Sequence, residues 1–148
     1  MTPTVLDLFS GAGGMALGFQ AAGTKCIAAG ELDQDAADTF ILTLAADDPI
    51  VFAGPEHGDV NKIPVAELLE ALPAAPSIVV GGPPCQGFSI MGDKSSSDIR
   101  NQLFTSYIRL VKELKPKAFI FENVKGVKTM YGGRFFTEIV NGFSNIGY

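Results

Sequence analysis

Short apolar runs in this chain alternate with longer segments of helical periodicity. The apolar runs predict strands at residues 5–9, 25–30, 77–80 and 118–121, with a further short strand suggested at 50–52. Apolar residues at helical spacing predict helices over residues 15–22, 33–44, 64–72, 99–114 and 133–146. Because strands that alternate with helices are typical of an α/β fold, we expect a parallel sheet with helices on both faces.

Residues at the predicted helix ends agree with these assignments. Asp33 is a suitable N-cap, Pro64 suits the first position of a helix, and Gly23 suits the position just after one. Residues 45–58 and 81–98 are predicted to be mostly loop. No internal repeat or domain boundary interrupts the 148 residues, so one domain is expected. Because the chain finishes on a helix, where another strand would normally follow, we interpret it as a truncated unit or one subunit of a split enzyme.

The composition indicates a globular protein. Hydrophobic residues make up 47% of the chain and charged residues 18%, which excludes a disordered chain. The apolar stretches are too short to span a bilayer, and no export leader opens the sequence. We therefore expect a cytoplasmic location, in which Cys26 and Cys85 stay as thiols. The single histidine, His57, gives no zinc-binding cluster, so no metal is expected.

Charge is distributed unevenly along the chain. The formal net charge is −5, but residues 1–92 carry 11 acids and 2 bases, or −9, whereas residues 93–148 carry 5 acids and 9 bases, or +4. A basic second part can face an anion such as nucleic acid while the acidic first part faces elsewhere. A solvated basic helix would produce the same asymmetry, so charge alone leaves the partner open.

The first candidate site follows the first predicted strand. Residues 7–14 read Asp-Leu-Phe-Ser-Gly-Ala-Gly-Gly, a strand that runs into glycines and then into a helix. Glycines allow the backbone to approach a ligand closely, and the start of a helix offers free N–H groups. Glu31, at the end of the second strand, is placed where an acid can bind ribose hydroxyls. The pattern predicts a nucleoside cofactor, either NAD or S-adenosylmethionine, and a simple tight turn is the alternative.

The second candidate site is the segment of residues 81–89, Gly-Gly-Pro-Pro-Cys-Gln-Gly-Phe-Ser, which follows a predicted strand. This position puts a thiol at the carboxyl end of the sheet, where ligands bind in such folds. The prolines stiffen the segment and the glycines let a bulky substrate approach, so Cys85 is a candidate nucleophile once it is ionised. Cys26 instead lies in an apolar strand and is predicted to be an inert core thiol.

The third candidate site is Glu122-Asn123-Val124, at the end of the last predicted strand. A carboxylate there can meet the thiol across the cleft and donate a proton if its pKa is raised. By itself Glu122 would be read as a capping or surface acid. Its expected position beside the Cys85 loop is what favours a catalytic role.

In this order and at these strand ends, the three motifs resemble those of the cytosine-C5 DNA methyltransferase family. The resemblance extends through nearly the whole chain and includes Gly58-Asp59-Val60 and Asp98-Ile99-Arg100-Asn101. The glycine loop is weakly specific, whereas Pro84-Cys85-Gln86 together with Glu122-Asn123-Val124 is strongly specific. The resemblance implies a Rossmann-like S-adenosylmethionine-dependent methyltransferase fold, truncated after about five strands.

The same resemblance implies S-adenosyl-L-methionine as the cofactor. Phe9 would stack on the adenine, Glu31 would hold the ribose hydroxyls, and Asp59 would hold the adenine amino group. The backbone of residues 10–14 would surround the methionine part. The implied cofactor-binding residues are Phe9, Ser10, Gly11, Ala12, Gly13, Gly14, Glu31, Leu32, Asp59, Val60 and Pro83.

The implied reaction is methylation of C5 of cytosine in double-stranded DNA. Cys85 would attack C6 of a flipped-out cytosine, Glu122 would interact with N3, and Asn123 would support the loop that carries Cys85. Residues 89–100 resemble a mobile loop that closes over DNA. The implied substrate-binding residues are Pro84, Gln86, Ser89 and Arg100.

The resemblance also implies an arginine-rich strand motif, a target-recognition region and a final helix of the cofactor pocket, all of which are expected after the position of Tyr148 and lie outside these 148 residues. We therefore expect the chain alone to be inactive or nearly so, and to need a C-terminal half or partner subunit. Three alternatives stay open: a tRNA cytosine-C5 methyltransferase, an NAD(P)-dependent oxidoreductase and a non-catalytic binding fragment. The expected setting is a nucleoid-associated, prokaryotic one, and the sequence leaves the recognition site and a restriction or regulatory role open.

Overall fold

The strands form one parallel sheet. The computed structural model describes residues 2–84 and 99–148, with side chains from residue 103 onward in the second range. Five strands in these residues have the order β3-β2-β1-β4-β5, and all neighbours run parallel. The strands are β1 (Thr4–Leu8), β2 (Lys25–Glu31), β3 (Ile50–Ala53), β4 (Ile78–Gly81) and β5 (Ala118–Phe121). The predicted α/β fold and all predicted strands are confirmed.

Helices follow the strands along the described residues. The α-helices are α1 (Gly14–Ala21), α2 (Gln34–Thr43), α3 (Gly54–His57), α4 (Val65–Ala71), α5 (Ile99–Leu114) and α6 (Arg134–Ser144). Two 3₁₀ helices, Lys125–Lys128 and Met130–Gly133, lie between β5 and α6. The short helix α3 was not predicted, since its segment was expected to be loop. Within the described residues, no helix has the length and apolar character needed to cross a membrane.

The helix ends confirm two of the three boundary predictions. Asp33 caps α2, because its carboxylate accepts the Ala36 N–H at 2.8 Å. Gly23 follows the last residues of α1 with φ 88°, as expected for a glycine just past a helix end. The prediction for Pro64 was wrong by one position. It is an extended N-cap with φ −80° and ψ 111°, and α4 begins at Val65.

The core lies on both faces of β1, the central strand. Leu6 and Leu8 belong to a large apolar cluster that also contains buried residues of α4, α5 and α6. A smaller cluster combines Ala16, Cys26, Ala29, Phe40 and Leu44. Because both faces of the strand are covered, β1 is a nearly continuous apolar run, as parallel strands usually are.

β1 also lies between β2 and β4, so the order of the strands along the chain changes direction across the sheet at this strand. Ligands of α/β proteins bind at such switch points.

Candidate active site

A cleft of about 300 Å³ opens at the carboxyl ends of the central strands. It combines an aromatic ring, two carboxylates, glycines and apolar side chains. Its lining residues are Phe9, Glu31, Leu32, Gly58, Asp59, Val60, Gly82, Pro84 and Leu103. The structure therefore brings together six of the residues that the resemblance assigned to cofactor or substrate binding. These are Phe9, Glu31, Leu32, Asp59, Val60 and Pro84.

The glycine loop after β1 has a preset, left-handed backbone. Phe9, Gly11 and Gly13 have φ values of 58°, 54° and 94°. Such an angle is unusual for a residue other than glycine, and at Phe9 it accompanies a side chain that lines the cleft. A Cβ at Gly13 would lie 2.8 Å from the Leu44 side chain, so no larger residue fits without a shift. The Gly11 N–H donates to Glu31 Oε2 at 2.7 Å, which ties the loop to the end of β2.

Ser10 carries an unpaired hydroxyl within this loop. The residue is only 7% exposed, and its Oγ has no hydrogen-bond partner in the described parts of the chain. Buried hydroxyls are normally paired, since leaving one unpaired costs about 1–3 kcal/mol. The Ser10 hydroxyl therefore suits a polar group of a ligand bound at the loop.

Asp7 lies buried beneath the glycine loop. It is 1% exposed, and its Oδ2 accepts the Ala16 N–H, in the first turn of α1, at 3.1 Å. Burial raises the pKa of Asp7 to about 7; the hydrogen bond from Ala16 lowers it, and the nearby Glu31 carboxylate adds to the increase. Because α1 has no side-chain cap at its N-terminus, Asp7 satisfies an N–H group that would otherwise lack a partner. This role of Asp7 was not predicted from the sequence, although an acid inside an apolar strand is a visible signal.

Two acidic residues, Glu31 and Asp59, line the cleft together with Gly58. Glu31 Oε1 accepts the Asp33 N–H at 2.9 Å, and Asp59 Oδ1 accepts from the Asn61 backbone and side chain at 3.0 Å each. A Cβ at Gly58 would overlap the Glu31 carbonyl oxygen, so glycine is required for this close approach. Each carboxylate oxygen can accept more than one hydrogen bond. Both acids therefore stay able to bind donor groups of a ligand.

The loops after β4 and β5 meet at the same end of the sheet. Asn123 Nδ2 donates to the Pro83 carbonyl oxygen at 3.1 Å. A Cβ at Gly82 would lie 2.8 Å from Glu122 Oε2, so the absent side chain leaves room for this carboxylate. Glu122 and Asn123 thus lie beside the backbone that leads into Pro84 and Cys85.

Some residues implied by the resemblance do not line the cleft or cannot be placed. Pro83 is buried, and Asn123 lines a separate, largely apolar groove of about 410 Å³ beside β5 and α6. The loop that follows Phe9 does not line the cleft, although Phe9 does. This loop comprises Ser10, Gly11, Ala12, Gly13 and Gly14. The predicted sites Cys85, Gln86 and Ser89 lie outside the described residues, and Arg100 lies in α5 without a described side chain.

Cys26 has the environment expected of a core thiol. It is free and buried, and its Sγ donates to the Ala28 carbonyl oxygen at 3.5 Å. Burial raises the pKa of Cys26 to about 12, with smaller contributions from the nearby carboxylates of Asp7 and Asp47. A thiol with so high a pKa is a poor nucleophile near neutrality. The described residues contain no group of three or more side chains that could hold a metal ion.

Comparison with known proteins gives one consistent match. The sequence model of the C-5 cytosine-specific DNA methylase family matches residues 3–148. The Type II methyltransferase M.XorII of Xanthomonas oryzae pv. oryzae is 38% identical over 159 residues, which cover 99% of this chain and 34% of M.XorII. The Type II methyltransferase M.AquIA of a Picosynechococcus species is 38% identical over 144 residues, which cover 95% of this chain and 56% of M.AquIA. The chain therefore spans between about a third and about half of the length of these relatives.

Solved structures agree with this match. An Escherichia coli prophage protein, solved as a DNA modification methyltransferase, superposes with a TM-score of 0.75 at 33% identity. That superposition covers 97% of this chain and 38% of the other. The Dnmt2 methyltransferase of Schizosaccharomyces pombe superposes with a TM-score of 0.63 at 18% identity, over 95% of this chain and 40% of the other. The second likeness concerns the fold alone.

Proposed function

Because this chain belongs to the C-5 cytosine-specific DNA methylase family, we propose that it methylates C5 of cytosine in DNA with S-adenosyl-L-methionine. The observation that carries the proposal is the cleft, in which Phe9, Glu31 and Asp59 converge beside the segment that leads to Cys85. Since the chain spans 34% of M.XorII and 56% of M.AquIA, we assign the complete reaction to the chain together with a C-terminal half or partner subunit.

The residues of the cleft fit S-adenosylmethionine. Phe9 and Leu103 offer apolar surface for an adenine ring, while Glu31 and Asp59 offer acceptors for ribose hydroxyls and an amino group. The buried Ser10 hydroxyl lacks a partner among the described residues and suits the polar methionine part. When bound, this cofactor supplies a methyl group activated by a sulfonium. The family match does not favour an NAD(P)-dependent oxidoreductase, which would give Cys85 and Glu122 no task.

The chain's own residues would activate the target carbon. C5 of cytosine is a weak nucleophile, and addition of the Cys85 thiolate to C6 gives it the character of an enamine carbon. Glu122 would stabilise the charge that develops at N3 by a hydrogen bond or proton donation. After C5 has accepted the methyl group, a base removes the C5 proton, and the carbon–sulfur bond breaks to regenerate the thiolate. A stacked base cannot reach such a site, so the cytosine must be flipped out of the duplex.

The contacts at the ends of β4 and β5 support this assignment. The hydrogen bond from Asn123 to the Pro83 carbonyl holds the two loops together. The absence of a side chain at Gly82 leaves room for the Glu122 carboxylate at this position, just before Pro83 and Pro84 in the chain. These two features keep the proposed acid close to the segment that leads to the proposed nucleophile.

A duplex with 5-fluorocytosine at candidate sites tests the proposed nucleophile. Fluorine at C5 cannot be lost as a proton, so the bond between Cys85 and C6 should persist. With S-adenosylmethionine and any polypeptide encoded beyond this chain, we expect a protein–DNA species that survives denaturation. Cys85→Ala should abolish it, whereas the matched thiol control Cys26→Ala should retain it. An adduct that persists in Cys85→Ala would contradict the proposal, and an adduct formed on tRNA alone would change the substrate.

A further inference from the structure

A chain of side-chain hydrogen bonds leads from α5 to Asp59. Ser106 Oγ donates to Asn61 Oδ1 at 2.8 Å, and Asn61 Nδ2 donates to Asp59 Oδ1 at 3.0 Å. An ionised carboxylate only accepts, so the amide nitrogen of Asn61 must face Asp59. The amide oxygen then faces Ser106, whose hydroxyl must donate. The direction of every bond in this Ser106–Asn61–Asp59 chain is therefore fixed.

Arg109, almost one turn further along α5, holds the backbone of the same segment. Its Nη2 donates to the carbonyl oxygens of Val60 at 3.2 Å and Ile63 at 3.3 Å. The side chains of Val60 and Ile63 are buried in the core, with 2% and 3% exposure. The N–H of Ile63 also donates to the Asp59 carbonyl oxygen at 3.1 Å. The turn of residues 59–63 is thus attached to α5 through both its side chains and its backbone.

We propose that Ser106, Asn61 and Arg109 are positioning residues that make the cleft select an amino-bearing purine. The inference rests on the proposed cofactor. Asn61 occupies one oxygen of Asp59 with two N–H groups, which leaves Oδ2, 3.6 Å from Lys62 Nζ, as the oxygen freer to bind a ligand. A carboxylate oxygen accepts from the 6-amino group of adenine and repels the 6-oxo group of hypoxanthine. Selection by such a contact requires a fixed orientation of the carboxylate, because a carboxylate that can turn away rejects the wrong base less well.

The test compares S-adenosylhomocysteine with S-inosylhomocysteine, in which a 6-oxo group replaces the 6-amino group of the purine and N1 carries a hydrogen. Their Kd values are measured by calorimetry for the chain, expressed with any polypeptide encoded beyond it. Wild type should prefer the adenosyl ligand by about a hundredfold or more. Asn61→Ala should weaken adenosyl binding about tenfold and leave inosyl binding nearly unchanged, because it frees the Asp59 carboxylate to rotate.

Variants of α5 complete the design. Ser106→Ala should reduce the preference in the same direction but less, and Ser106→Thr, which keeps the hydroxyl, should restore it. Arg109→Lys, which cannot span both carbonyl oxygens in the same way, should also lower the preference. Lys112→Ala, at an exposed position of α5, is the matched control and should behave as wild type. Thermal unfolding verifies that each variant is folded.

The outcomes separate this inference from the proposed function. If Asn61→Ala weakens both ligands by the same factor, the turn has only a structural role and the inference is overturned. A wild type that binds both ligands equally well also overturns it, while leaving the cofactor proposal intact. A folded wild type that binds neither ligand overturns the cofactor proposal, and the inference fails with it.

Discussion

Replacing Asp7 by asparagine isolates the effect of a titratable group buried beneath the glycine loop. Asp7 is 1% exposed and accepts the Ala16 N–H at 3.1 Å. An asparagine is almost the same size, and its Oδ1 can accept the same hydrogen bond. The substitution therefore removes the ability to ionise while it keeps the packing and the contact with α1.

The expected effect is a change in how stability depends on pH. Burial, with a smaller contribution from the nearby Glu31 carboxylate, raises the pKa of Asp7 from 3.8 to about 7, so the folded chain binds this proton more tightly than the unfolded chain. The resulting stabilisation is complete below the unfolded pKa and is lost as the pH rises through the folded pKa. Because the pKa of Asp7 is 3.8 in the unfolded chain and about 7 in the folded chain, proton linkage lowers the stability by about 2–3 kcal/mol between pH 5 and pH 8. Because asparagine does not ionise, the stability of Asp7→Asn should not show this decrease between pH 5 and pH 8.

Urea unfolding followed by circular dichroism measures this difference. The free energy of unfolding of Asp7→Asn relative to wild type should rise by about 2–3 kcal/mol from pH 5 to pH 8. The two proteins differ only at residue 7, so the difference between their profiles reports the ionisation of Asp7 together with its effect on neighbouring groups. Glu70→Gln, at an exposed position of α4, is the control and should follow the wild-type profile. Parallel profiles for wild type and Asp7→Asn would show that the folded chain does not hold the Asp7 proton more tightly than the unfolded chain.

Three further substitutions test the site and its support. Glu122→Gln keeps a side chain that can form hydrogen bonds but cannot deliver a proton. The rate of single-turnover methyl transfer should therefore fall at least about a hundredfold, while the Kd of the cofactor stays unchanged. An unaltered rate would exclude Glu122 as the acid. Tyr107→Phe removes a buried hydroxyl that donates to the Ile120 carbonyl oxygen at 2.9 Å; the free energy of unfolding should fall by about 1–2 kcal/mol in urea titrations, and no loss would contradict that contact. Ser10→Ala removes the unpaired hydroxyl. Without ligand, the free energy of unfolding should stay unchanged or rise by about 1 kcal/mol. S-adenosylhomocysteine should bind about threefold to tenfold more weakly. Loss of ligand-free stability in Ser10→Ala would instead indicate an internal partner for the hydroxyl.

The sheet could be predicted from the sequence because its strands are short apolar runs. Ile78–Gly81 is such a run and is largely buried, as parallel strands usually are. Ala118–Phe121 is also an apolar run, although Ile120 is 45% exposed there. The four-residue helix α3 (Gly54–His57) could not be predicted, since it is too short to show a helical period. Pro55 near its start was the one local signal.

Two acids at strand ends could also be placed in advance, because the carboxyl ends of parallel strands share one edge of the sheet. Glu31 and Glu122 were assigned on this basis. The contacts that position Asp59, the other acid of the cleft, could not be predicted. Ser106 and Asn61 are 45 residues apart, and their contact depends on how α5 packs over the turn of residues 59–63. The orientation of Asp59 is set by this packing, which no local pattern encodes.

Transfer of a labelled methyl group from S-adenosylmethionine is the direct test of whether the chain methylates cytosine in DNA through Cys85. The chain, combined with any polypeptide encoded beyond it, is given unmethylated DNA and tRNA side by side, and Cys85→Ala is assayed in parallel. We expect label at C5 of DNA cytosine that disappears in Cys85→Ala. Label on tRNA alone, label that persists in Cys85→Ala, or no label from folded protein that binds the cofactor would contradict this expectation.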